Sequence, residues 1–230
     1  MTQRDYTKFE EKIAYEFKDK KLLCTALTHS SYTNECMVDK PECYERLEFL
    51  GDAVLELIVS EFLFKKMPEK REGALSSLRS QLVCEQSLSR LSRELGIDEF
   101  LLLGKGEEAG GGRNKNSILC DAFESVLGAV YLEGGIEAAH RIVEREILSK
   151  YEDLIVRNYK SELQEMVDSL DTKPGVDYRI LEESGPDHDK IFKVGVYIGG
   201  VIRGIGVGKN KKEAQQLAAA AALEDNIYVS

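Results

Sequence analysis

Four carboxylates, Glu45, Glu48, Asp52 and Glu56, recur at intervals of three and four residues inside one apolar stretch. On a helix, at 100° per residue, they fall within about 80° of one another, and Leu47, Leu50, Val54, Leu57 and Ile58 form a broad opposite stripe. Like charges at i and i+4, Glu48 with Asp52 and Asp52 with Glu56, weaken a helix by roughly 0.2–0.5 kcal/mol each. A solvated face normally mixes signs, so something must offset this repulsion.

A second acidic pair, Asp121 and Glu124, stands at i and i+3 in another apolar helical stretch, with no base three or four places from either residue. Packing the two apolar stripes side by side would make Glu48, Asp52, Asp121 and Glu124 converge. Two like charges about 4 Å apart repel by about 1 kcal/mol in water and about 4 kcal/mol at an effective dielectric near 20. Protons would relieve the cluster and create an acid–base pair of the kind used in glycoside hydrolysis. Cations would relieve it through hard, all-oxygen ligation suited to Mg²⁺ or Mn²⁺. An acidic interface or a solvated stripe is the third reading. The lack of any C-x-x-C pair argues against a thiolate zinc site. Mg²⁺ held by carboxylates usually acts on phosphates.

The chain that must position these acids has 230 residues, 43% of them hydrophobic, enough for one large or two ordinary domains. No run of about 18 apolar residues occurs, and the N-terminal stretch from Met1 to Phe17 is charged throughout, which predicts neither a membrane span nor a signal peptide, and a cytoplasmic protein. The five cysteines are odd in number and form no C-x-x-C pair, so they read as reduced thiols. A net charge of -10 argues at first against nucleic acid. Yet residues 1–153 carry 21 bases and 29 acids, and the remaining residues only 10 and 12, so the acidity sits in the first part. Clustered lysines elsewhere could still meet phosphates.

In chain order, helical spacing is expected over Lys8–Phe17, Lys20–Thr28, Tyr44–Phe64, Ala74–Leu95, the Ser117–Tyr131 stretch and Glu137–Leu154. The segment from His29 to Asn34 reads as a turn. His29 itself reads as a ligand or base, or as a histidine satisfied near a helix end. The glycine-rich stretch Gly104–Asn116 reads as a mobile loop; it lacks the order of a nucleotide-binding P-loop. After a linker at 154–159 the order becomes helix, three strands, helix, so an all-α domain at 1–153 precedes an α-β-β-β-α module at 160–228. Lys209, Lys211 and Lys212 crowd the start of the last helix, where free N–H groups and the helix dipole favour anions.

The run from Glu45 to Leu55 closely resembles the defining motif of the ribonuclease III family, and Asp121-Ala122-Phe123-Glu124-Ser125 resembles that family's second acidic motif. Three tail segments, Lys160–Glu165, Gly185–Phe192 and Lys209–Ala214, resemble a double-stranded RNA-binding domain. The resemblance implies a homodimeric, Mg²⁺-dependent endonuclease, with Mn²⁺ as a substitute, that cuts both strands of duplex RNA, leaves 5′-phosphates and 3′-hydroxyls, and processes rRNA and mRNA. Carried over by position, Glu48, Asp52, Asp121 and Glu124 would be metal ligands, with Asp52 and Glu124 nearest the chemistry. Glu45 and Glu72 would be accessory acids, and Phe49 part of the dimer contact. Ser161, Gln164 and Glu165 would face one minor groove, His188 the next, and Lys209, Lys211 and Lys212 the phosphates between, spanning roughly 16 bp. Glu56 extends the acidic face and receives no role. The competing reading is a regulatory protein that binds duplex RNA without cutting it.

Overall fold

The computed structural model describes residues 5–36, 40–154, 159–186 and 190–224. Contacts divide the chain into two compact units, Met1–Ile155 and Val156–Ser230. The first is built from α1 (Thr7–Ile13), α2 (Lys20–Ala26), α3 (Ser30–Glu35), α4 (Glu45–Lys66), α5 (Glu72–Leu82), α6 (Glu85–Leu95), α7 (Ile97–Phe100), α8 (Lys105–Ala109), α9 (Asn116–Glu146) and α10 (Tyr151–Leu154). The second holds α11 (Tyr159–Asp168), β1 (Val176–Ser184), β2 (Ile191–Ile198), β3 (Val201–Gly208) and α12 (Lys211–Glu224). Both ends of the expected linker, Leu154 and Tyr159, are helical.

The longest helices of the first unit, α4 and α9, contribute most of its core. Leu47, Val54, Leu55, Ile58 and Val59 of α4 share one buried cluster with Leu119, Phe123, Val126, Leu127 and Val130 of α9. The two helices touch at glycines: a Cβ on Gly51 would overlap the carbonyl oxygen of Glu124, and one on Gly128 would overlap that of Leu47. Backbone-to-backbone approach of this kind needs residues without side chains.

Several elements depart from the expected pattern. The periodicity across 74–95 is broken at Val83 and Cys84 into α5 and α6, because Val83 leaves helical geometry and Cys84 is extended, so α6 starts afresh. The segment after His29 is helix α3, not a turn, and the His29 ring caps it: Nδ1 accepts from Ser31 N–H at 3.1 Å. As the two separate helical stretches require, Gly135 does interrupt α9: its φ of 75° and ψ of -178° leave helical geometry, a conformation glycine adopts without steric cost, so the segment is two helices joined at a kink. The glycine-rich stretch contains α8 and a 3-10 turn at Gly112–Asn114, and it is tied down. Glu35 accepts from the N–H groups of Lys105 (2.9 Å) and Gly106 (3.2 Å), and Ser31 Oγ accepts from Gly104 N–H at 2.9 Å.

In the second unit the strands form an antiparallel sheet in the order β1-β2-β3. Leu163 and Val167 of α11, Phe192, Val194, Val196 and Ile198 of β2, and Ala214, Ala218, Ala219 and Ala222 of α12 make its core. The alanine-rich face of α12 and the glycines of β3 are one device: a Cβ on Gly204 or Gly206 would overlap the α12 backbone at Ala218. The α-β-β-β-α order is as the periodicity predicts.

Candidate active site

The close contact of α4 with α9 brings the two acidic pairs together. Glu124 is largely buried and its carboxyl is pushed up to about 8, first by burial, then by Asp52, Asp121 and Glu48. Glu48 is raised by burial, then by Asp121, Glu45 and Asp52. Asp121 is raised by burial as well, and His29 opposes the shift. Each acid from α9 therefore shares its field with acids from α4, and among the described residues no lysine or arginine pairs with any of the four. This is the physical signature of a site that must take up protons or cations.

The donor set suits a hard divalent cation. Four carboxylates offer only oxygen; Asp52 is exposed, while Glu48, Asp121 and Glu124 are partly buried, which makes ionising those three together costly unless positive charge compensates it. Asp121 and Glu124 each present an oxygen within 4.8 Å of the other and of the Cys120 sulfur. Cys120 lies one turn before Glu124, and its thiol donates to Glu124 Oε1 at 3.8 Å. Burial and the neighbouring acids push that thiol up, so it behaves as a neutral donor. Reading all five cysteines alike missed it; the spacing from 120 to 124 is the signal that would have singled it out.

Other candidates are placed more loosely. Glu45 is exposed at the start of α4, and its charge reaches Glu48. Glu72 is exposed at the start of α5, accepts from Ser76 Oγ at 2.9 Å, and lines a separate groove of about 590 Å³ with Leu57, Phe64 and Arg79. Glu56 is paired: Arg79 of α5 lies 3.8 Å from its carboxylate and donates to Ser60 Oγ at 3.0 Å. Phe49 projects 80% exposed from α4, beside an open cavity lined by Leu22, Pro41, Leu50 and Leu132.

On α11, Ser161 and Gln164 are exposed and Glu165 is half-buried, opposite buried Leu163 and Val167. Gln164 donates to Asp168 at 2.9 Å. His188 falls outside the described residues. Lys209, Lys211 and Lys212 are exposed where α12 begins, with the Lys211 ammonium 5.6 Å from the Phe192 ring centre. The N–H groups there are less free than the sequence suggests. Asn210 Oδ1 accepts from Glu213 N–H at 2.9 Å, and the Glu213 carboxylate accepts from Lys209 N–H at 2.7 Å. The Asn210 cap, with Glu213 reaching back to the residue before it, leaves more of the anion-binding capacity to the lysine side chains.

Residues 19–151 match the family model described as Ribonuclease-III-like. The chain belongs to the ribonuclease III family. Residues 159–226 match the double-stranded RNA binding motif. Ribonuclease 3 of Caldanaerobacter subterraneus subsp. tengcongensis is 50% identical over 221 residues, spanning 94% of this chain and 96% of that protein. Ribonuclease 3 of Bacillus licheniformis is 46% identical, spanning 95% and 88%. Among solved structures, the nuclease domain of ribonuclease III from Campylobacter jejuni is similar with a TM-score of 0.59 and 44% identity, over 67% of this chain and 99% of that one. A second structure of that domain, concerned with flexibility in a region involved in dimer formation, has a TM-score of 0.57 and 45% identity, over 62% and 98%. The four acids described above lie within the part of the chain matched by the ribonuclease III model. Among the described residues, no helix of this family member is long and apolar enough to cross a membrane.

Proposed function

We propose that this protein is an endoribonuclease that hydrolyses both strands of double-stranded RNA with the help of divalent cations, leaving 5′-phosphate and 3′-hydroxyl ends. The observation that carries the reading is the convergence of Glu48, Asp52, Asp121 and Glu124 around a carboxyl raised to about 8, in one chain with a duplex-RNA-binding module. Residues 1–153 serve as the nuclease domain, 154–159 as the linker and 160–228 as the RNA-binding domain. The cellular setting we infer is the cytoplasm, with rRNA and mRNA precursors as substrates.

In this reading the four acids hold Mg²⁺, or Mn²⁺ in its place. The bound cation supplies charge neutralisation at phosphate oxygens and a more acidic water. The chain's own contribution is positional. Gly51 and Gly128 set the distance between the acid pairs. Glu124 holds a proton at neutral pH in the metal-free protein and gives it up when positive charge arrives. Ser161, Gln164, Glu165 and His188 serve the minor grooves, and the three lysines the phosphates, so affinity comes from duplex shape and charge. Glu45 and Glu72 are auxiliary acids.

A second copy of the chain is the cover we infer for Phe49, a side chain 80% exposed beside a cavity that mixes apolar Leu22, Pro41, Leu50 and Leu132 with charged Asp19, Glu42 and Arg46. Incubating the purified protein with a long RNA duplex, with Mg²⁺ and with chelator, tests the central claim. Cleavage of both strands only with Mg²⁺ is expected; binding without cleavage in both conditions would instead establish the regulatory alternative.

A further inference from the structure

The geometry points to Lys160 as a positioning residue for duplex RNA: it straps α11 to α12, and so fixes the spacing between the side chains that face a minor groove and the lysines that meet the phosphates. Lys160 stands in the first turn of α11, where backbone N–H groups have no partner within the helix. Its own N–H donates to Gln216 Oε1 at 3.2 Å, and its ammonium donates to Gln215 Oε1 at 2.7 Å. One residue of α11 therefore holds two neighbouring residues of α12. The ammonium also lies 4.8 Å from the centre of the Tyr178 ring, within cation–π range, so β1 holds it as well.

The apolar contact between the two helices does not supply this register. Leu163 and Val167 of α11 share their buried cluster with a face of α12 made of Ala214, Ala218, Ala219 and Ala222. Apolar burial is non-directional, and a row of methyl groups offers few ridges to resist a slide. Hydrogen bonds are directional, and one made by an ammonium is about twice as strong as a neutral one. The strap lies beside the residues that the duplex would touch: Ser161 follows Lys160, Gln164 is one turn on, and Lys211 and Lys212 stand one turn before Gln215 and Gln216. The Lys160 charge itself is directed at Gln215 and Tyr178, inside the module, and not at a phosphate. Duplex RNA is read by shape across two successive minor grooves and the phosphates between them, so the spacing of α11 and α12 decides shape discrimination. Lysines alone attract any polyanion.

This inference rests on the duplex-RNA-binding reading, and its test keeps the two apart. The full-length protein carrying Lys160→Met, which keeps the long apolar stem and removes the ammonium, is compared with wild type in chelator, so that the duplex stays intact. Binding to an RNA duplex and to a DNA duplex of the same sequence is measured across a range of salt. The expected result is RNA affinity weakened about tenfold, the worth of the one charge-assisted hydrogen bond that no longer holds the register, with DNA affinity and the salt slope unchanged. Gln215→Leu, which leaves the ammonium in place, should reproduce that pattern, and the double variant should be no weaker than either single one. A slope lower by about one in Lys160→Met would make Lys160 a phosphate contact and overturn the assignment. Equal losses on RNA and DNA would overturn it too, because poorer folding of the module lowers both alike. Wild type that binds the two duplexes equally overturns the duplex-RNA reading itself, whereas wild type that prefers RNA beside an indistinguishable Lys160→Met overturns only the strap.

Discussion

Gly51 of α4 and Gly128 of α9 face each other so closely that a Cβ on either would lie 3.0 Å from the other's backbone nitrogen and inside the contact distance of a carbonyl oxygen. Asp52 follows Gly51 and Glu124 precedes Gly128 by one turn, so this contact sets the spacing of the acids. Gly128→Ala forces backbone against backbone, and overpacking of this type costs about 1–3 kcal/mol. Displacing a reacting group by about 1 Å can cost about a hundredfold in rate. Urea unfolding should therefore show the destabilisation, and duplex cleavage should fall by an order of magnitude or more. Wild-type stability together with a wild-type rate would show that the contact sets nothing.

Glu124→Gln removes a charge and keeps the shape. The glutamate is largely protonated at neutral pH without metal, so the amide should fold as well as wild type. It cannot ionise to meet a cation. Outer-shell substitutions lose about 10–100-fold, and a direct ligand should exceed that. Cleavage should drop more than about a hundredfold while duplex binding in a gel-shift assay stays within about twofold. Full cleavage by this variant would remove Glu124 from the mechanism.

The same carboxyl makes metal-free stability depend on pH. Its folded value, about 8, lies above the ordinary 4.5, so between those values the folded chain binds more protons than the unfolded one. Stability from this group is complete below about 4.5 and is lost as pH rises through about 8. Glu48 and Asp121 are displaced in the same direction. Thermal unfolding in chelator should therefore weaken from pH 5 to pH 9, and Glu124→Gln should flatten the decline. Parallel curves for the two proteins would contradict the raised carboxyl.

Much of this site could be read from periodicity alone, because ligands that lie on one helix face must recur every three or four residues. Glu48 with Asp52 and Asp121 with Glu124 do so, and the apolar stripes behind them predict which helices pack. The module after the linker was legible for the same reason, its period changing to that of strands after Pro174 and Gly175. What stayed hidden depends on residues distant in sequence. Arg79 reaches Glu56 from another helix, and no i to i+4 rule finds it. Leu78 with Leu82 and Leu88 with Leu91 are each helically spaced, while the six residues from Leu82 to Leu88 slip the stripe by about 120°, the local trace of the break at Val83 and Cys84. Tyr44 reads only as the start of a helical stretch, and its buried hydroxyl, without a partner among the described residues, becomes visible only when its neighbours are known.

The pairing of Glu56 with Arg79 separates it from the acids that face α9. Both side chains are partly exposed and the gap is 3.8 Å, a geometry for which ion pairs contribute about 1 kcal/mol or less. Glu56→Gln should thus shift unfolding stability by no more than that, and leave the Mg²⁺ concentration for half-maximal cleavage within about twofold of wild type. A tenfold rise in that concentration would instead place Glu56 among the metal-binding acids.

Salt dependence discriminates a phosphate contact from a solubilising surface charge. Each lysine that neutralises a phosphate releases counterions, so its removal should lower the slope of log affinity against log salt by about one. Lys212 is the cleaner test, because Lys211 also lies over the Phe192 ring and its loss would disturb packing. Lys212→Ala should weaken duplex binding uniformly across RNA sequences, reduce the slope by about one, and leave the cleavage rate at saturating RNA unchanged, since α12 lies in a different unit from the four acids. An unchanged slope would mean that Lys212 is only a solvated charge, and that the start of α12 contacts phosphate through Lys209 and Lys211 alone or not at all.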